Sequence, residues 1–130
     1  MKFIKYCICS ALAIGGNSIM GQTNSPADVA GLNAVACSSV GLLESSVVKT
    51  LDKTKERLEY LEILDKMFEG YTKIRIEELD SGRLTKERAV QMSDLIVKKY
   101  LSSDSSQVKQ AKSILSDCLK LGIKNGIFMP

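Results

Sequence analysis

Two cysteines, Cys37 and Cys118, stand about 80 residues apart, and a bond between them would tie one end of the chain to the other. The chain of 130 residues has four cysteines. Cys7 and Cys9, however, lie in an N-terminal segment that reads as a removable export signal. Lys2 and Lys5 supply its positive start, and Phe3, Ile4 and the run from Tyr6 to Ile14 supply its apolar part. Gly15-Gly16-Asn17-Ser18 then breaks the run before it reaches the roughly 20 apolar residues that a bilayer crossing needs. Cleavage is expected after Ile19-Met20-Gly21, leaving Gln22 first.

Ala34-Val35-Ala36 before Cys37 imitates both a cleavage site and a lipidation box. It lies well beyond the apolar segment, with Asp28 and Asn33 between, so a signal peptidase should not act there. Cys7 and Cys9 lack the small residues that precede a lipidated cysteine. The expectation is a periplasmic or secreted protein with no stable membrane anchor. Residues 1–21 form the signal, 22–27 a flexible lead-in, and 28–130 one helical domain.

In an oxidising compartment an even pair of cysteines forms a disulfide. In the chain-entropy model, closing so long a loop stabilises by about 4–5 kcal/mol. That is a large share of the roughly 5–10 kcal/mol expected for a domain of this size.

Apolar residues recur at helical spacing. Val29, Leu32, Ala36, Val40, Leu43 and Val47 mark a first stripe. Leu51, Leu58, Leu61, Leu64, Phe68 and Tyr71 mark a second, in a helix read from about Thr50. The two could be one helix bent at Ser45-Ser46 or two separate helices. Gly70 weakens the second, and Ile74-Arg75-Ile76 alternates like a strand, yet a lone strand has no partner, so helix is expected to about Leu79. Ser81-Gly82 is a stop, because glycine takes the left-handed conformation that ends helices. Thr85 is placed to cap a third helix, with Glu87 at the positive end of its dipole. Ala89, Met92, Ile96 and Tyr100 form that helix's stripe. Ser102 to Ser105 turn the chain into a fourth helix carrying Val108, Ala111, Leu115, Cys118 and Leu119, with Gly122 as its expected end. Pro26 and Pro130 fall outside all four. The reading is a small all-α four-helix bundle, up-down-up-down. In it Cys37, early in the first helix, and Cys118, late in the last, lie at the same end.

Several chemistries lack their residues. The chain has no histidine, which removes the commonest general base, the histidine-dependent nucleophiles and most zinc sites. With Cys37 and Cys118 paired, no thiolate remains outside the signal. Glu56, Glu59, Glu62, Asp65 and Glu69 share their faces with lysines, as on a solvated helix. No glycine-rich phosphate loop occurs. Asp80 to Glu87 resembles half of a calcium loop, but Glu77, Leu79 and Arg88 fall where ligands should be, so no metal is expected. No catalytic residue and no cofactor is assigned.

Without the signal the formal charge is +1, too little for a nucleic-acid face. It is unevenly spread. Residues 22–82 carry seven basic and eleven acidic side chains, and residues 83–130 nine basic and four acidic. Packing of the two halves against each other is the simpler explanation, and a dipolar face for a partner is the other. The apolar tail Ile127, Phe128 and Met129 either folds back on the bundle or docks on a partner or second copy.

Two segments resemble small periplasmic immunity proteins that neutralise peptidoglycan-amidase toxins of type VI secretion. One is Ala36-Cys37-Ser38-Ser39-Val40-Gly41-Leu42, a cysteine in an early helix of small residues. The other is Leu95-Ile96-Val97-Lys98-Lys99-Tyr100-Leu101, followed after a polar turn by Ser116-Asp117-Cys118-Leu119. The resemblance implies a helical, disulfide-bonded, often dimeric inhibitor that plugs the cleft of a cell-wall hydrolase. The polar motifs of the toxin-contacting part are absent, so no binding residue is carried over. Type II secretion pilotins share the size, helices and paired cysteines but carry a lipidation box that this chain lacks. The expected function is therefore non-catalytic protein binding, with a secretion adaptor or a periplasmic chaperone as alternatives. N-terminal sequencing of the exported protein should begin at Gln22; a mass retaining Cys7 and Cys9 would rule out the cleavage.

Overall fold

The structure, a computed structural model, describes residues 26–130, with side-chain surroundings from Ala30 onward. The signal and residues 22–25 of the lead-in lie outside the described residues. Four helices follow in order: α1 Pro26–Val48, α2 Lys55–Asp80, α3 Lys86–Tyr100 and α4 Ser105–Lys124. No strand occurs among the described residues. The fold is the expected all-α, four-helix bundle closed by one disulfide.

α1 is the axis of the molecule. Every residue from Ala30 to Gly41 is buried, and α2, α3 and α4 each pack against it. A helix apolar on all sides has to be surrounded. Its stretch Ala30–Val48 is long and apolar enough to cross a membrane by length and composition, with a mean hydropathy of 1.3, yet 72% of it is buried inside the bundle. Small residues let the neighbours approach closely. A Cβ on Gly41 would stand 2.6 Å from Met67 Cε of α2, and one on Gly31 would stand 3.3 Å from Glu78 Cβ and Leu84 Cβ.

Side-chain contacts establish the directions. Glu44 meets Tyr60, and Gly31 meets Glu78, so α2 runs antiparallel to α1. Ser39 meets Ser93, and Glu44 meets Tyr100, so α3 runs parallel to it. Lys112 reaches Glu44, and Cys118 reaches Cys37, so α4 descends again. The up-down-up-down order holds. Cys37 and Cys118 are bonded, with Cα atoms 5.6 Å apart and both residues fully buried. Cys37 sits midway along α1 rather than near its start, because the helix begins at Pro26. Pro26 therefore lies inside a helix, at the first position, where a missing N–H costs nothing.

The α1–α2 question resolves as two helices. The break falls at residues 49–54, later than Ser45-Ser46, and Thr54 caps α2 by accepting from Arg57 N at 3.2 Å. Leu51 lies in that turn and is exposed, as are Leu58 and Val47 at 47% and 42%. These three expected core positions are corrected. Helical spacing carried the stripes to the ends of the helices, where these positions are left uncovered. Residues 70–79 are helical. Gly82 ends α2 with φ +81°, and Thr85 caps α3 by accepting from Arg88 N at 3.2 Å.

α4 does not end at Gly122. It continues to Lys124, and Gly126, with φ +69°, makes the turn. Ile127 N donates to Gly122 O at 2.8 Å and Gly126 N to Ile123 O at 3.1 Å, the paired bonds of a Schellman cap. Gly122 serves another purpose. A Cβ there would stand 2.4 Å from Phe128 Cε1 and 2.9 Å from Tyr71 Oη. The tail thus folds back: Phe128 is buried beside Tyr71, ring centroids 6.5 Å apart. Ile127 crosses α2 where Gly70 leaves room, a Cβ there meeting Ile127 O at 2.5 Å. Met129 stays 72% exposed.

Gly122→Ala should lower stability by about 1–3 kcal/mol in urea denaturation through overpacking, although alanine favours a helix interior by about 1 kcal/mol. In a Phe128→Ala background the same change should cost clearly less, since only the closer approach to Tyr71 Oη remains. A full additive loss would show that the tail does not occupy this seat.

Candidate functional site

Glu44 stands alone among apolar and small residues in Gly41-Leu42-Leu43-Glu44-Ser45-Ser46-Val47-Val48 of α1, and it is buried. A buried carboxylate needs partners, since desolvation without them costs several kcal/mol. Each other helix supplies one. Tyr60 of α2 donates to Oε2 at 3.0 Å, Tyr100 of α3 donates to Oε1, and Lys112 of α4 reaches Oε1 at 2.7 Å. The Lys112 ammonium also lies 4.9 Å from the centroid of the Tyr100 ring, and its side chain remains 48% exposed. The cluster therefore opens to solvent through the lysine.

Burial alone would raise the Glu44 carboxyl. The hydrogen bonds from Lys112, Tyr100 and Tyr60, with the Lys112 charge, outweigh it and hold the group below its ordinary value of 4.5. Both phenols move the other way. Burial first, then the negative charge and hydrogen bond of Glu44, push Tyr60 and Tyr100 well above the ordinary phenol range. At neutral pH the four groups are one carboxylate, one ammonium and two neutral phenols, each satisfied by another.

A second buried carboxylate, Glu78 near the end of α2, takes a bidentate bond from Arg83. Nε lies 3.1 and 3.2 Å from the two oxygens and Nη2 lies 2.9 Å from Oε2. The Glu78 carbonyl accepts from Leu84 N at 3.0 Å. This pair closes the turn that the half calcium loop occupies. Glu77, Leu79 and Arg88 stand around that capped turn, and among the described residues no group of three or more His, Cys, Asp or Glu is placed to hold a metal.

The outer flank of α2 carries an open cleft of about 660 Å³, lined by Lys55, Leu58, Glu59, Leu61, Glu62 and Asp65. Leu58, Leu61, Glu62 and Asp65 follow the i, i+3, i+4, i+7 spacing of one helix face. Two leucines thus sit among three carboxylates and one lysine.

The disulfide joins the two cysteines expected to pair, and of the two courses left open for the tail Phe128 takes the inward one while Met129 stays exposed; sequence reasoning missed the Glu44 cluster. Tyr100 was read as an apolar core position, and Tyr60 and Lys112 carried no signal. The available clue was the lone carboxylate in α1. Compared with known proteins, the chain matches no family model, no curated sequence and no solved structure.

Tyr100→Phe removes a donor to a buried charge and should destabilise by about 1.5–3 kcal/mol in chemical denaturation. Tyr60→Phe, at a half-buried site, should cost less. Equal and negligible losses would show that the cluster adds nothing to the fold.

Proposed function

We propose that this chain is an exported, non-catalytic domain that acts by binding another protein through the flank of α2. The observation that supports this reading is the cleft at Leu58 and Leu61 rimmed by Glu59, Glu62 and Asp65. Leu58, 47% exposed, offers burial at about 25 cal/mol per Å² of apolar area covered. The carboxylates around it select an occupant of basic surface and steer its approach. The buried polar groups support a binding role over catalysis. Glu44 and Glu78 are engaged in ion pairs within the bundle, and Cys37 and Cys118 are bonded to each other. A buried disulfide fits an oxidising compartment.

Within that reading, the partner we favour is a cell-wall amidase, which this chain inhibits. An enzyme acting on a carboxylate-bearing polymer gathers cationic groups at its cleft, and an acidic face with an apolar centre competes for that site.

The test is to titrate the oxidised protein against a purified cell-wall amidase at low and physiological salt. Inhibition should saturate at one to one. Glu59→Lys with Glu62→Lys should weaken it at least tenfold, mainly through slower association. Full amidase activity in excess protein overturns the inhibitor reading. Retention of secretion components instead would assign the flank to an adaptor, and retention of many unfolded clients to a chaperone.

A further inference from the structure

The bundle is held at two levels by different chemistry. Midway, the Cys37–Cys118 disulfide ties α1 to α4, and Tyr71 of α2 donates to the Cys118 carbonyl at 2.8 Å. Phe128 covers the same region from outside. These ties are covalent, neutral or apolar, so acid does not touch them. Seven residues further along α1, about 10 Å at 1.5 Å per residue, all four helices meet at Glu44. There the link among α1, α2, α3 and α4 is one carboxylate receiving from Tyr60, Tyr100 and Lys112.

We propose that Glu44 is an acid-released latch, whose protonation opens this end of the bundle while the disulfide keeps the remainder closed.

The chemistry of the four groups carries the inference. Tyr60 faces Glu44 from α2, Tyr100 from α3 and Lys112 from α4, and all three donate. The phenols are held protonated, so Glu44 is the member of the cluster that acid reaches. Once protonated it becomes a fourth donor, and the charge that balanced Lys112 is gone. The carboxyl lies lower in the folded protein than in the unfolded chain. Its stabilisation is therefore complete above the unfolded value and is lost as pH falls through the folded one. The latch therefore gives way on the acid side of the ordinary Glu value of 4.5.

Opening would bare apolar surface that the latch now covers. Val48 and Leu61 are buried at this end, beside Val47, Leu51, Leu58 and Leu101, which are already exposed. The device rests on the Glu44 cluster alone and stands whether or not the α2 flank binds an amidase.

Hydrogen exchange of the oxidised protein, followed by mass spectrometry between pH 6 and pH 2.5 and corrected for intrinsic rates, tests it. Residues 42–60 and 97–112 should lose protection as pH falls from the unfolded-chain Glu value towards the lower folded one, at up to about tenfold per pH unit, the limiting slope of one bound proton, and should level off below it. Residues 35–41 and 114–122, around the disulfide, should hold theirs. Glu44→Gln should remove that slope from the two segments. Should that variant fail to fold, Tyr60→Phe takes its place and should move the loss to higher pH. Uniform loss along the chain, an unchanged slope in Glu44→Gln, or an unmoved midpoint in Tyr60→Phe would each overturn the latch.

Discussion

A buried stretch of helix cannot place a polar group without supplying it a partner, and α1 is buried on every side from Ala30 to Gly41. Its glycines, alanines and serines bring three other helices close enough to exclude water. The remaining contacts follow from that closeness. Cys37 on α1 is within bonding reach of α4. Glu44 on the same helix is near enough to all three neighbours that each contributes one donor. The short helix α3 contributes little buried surface of its own beyond Met92, Ile96 and Tyr100, and it is positioned by what it meets on α1.

The uneven charge has a structural outcome. The ion pairs Glu44–Lys112 and Glu78–Arg83 each join the acidic first part of the chain to the basic second part. Each sits where a carboxylate is buried, so the attraction acts in a medium that screens it less than water does. α2 and α4, the helices richest in opposite charge, scarcely touch. The acidic flank of α2 is thus left facing outward, with Leu58 exposed in it.

Much of the architecture was legible because its signals are local. Thr85 capping, the Gly82 turn and the helical character of 70–79 each depend on residues a few positions apart. Where the local signal was ambiguous, the reading erred. Gly122 and Gly126 look alike in sequence, yet one makes room for Phe128 and the other takes a positive φ. Gly70 appeared as a weakness in α2 and is the place where the tail crosses. Leu58 and Val47 kept the core spacing but lie where the bundle is only partly enclosed.

By itself, then, the sequence determined the helices, most of their ends, the parity of the cysteines and the absence of histidine chemistry. All of these are written in residue types and short spacings. Tertiary structure alone decided that α1 is central, because burial on every side erases the periodicity that would mark a face. It alone decided the polar cluster as well. The partners of Glu44 stand 16, 56 and 68 residues away, and no local rule relates a carboxylate to donors at such separations. Only the packing of three helices around one brings them to the same point.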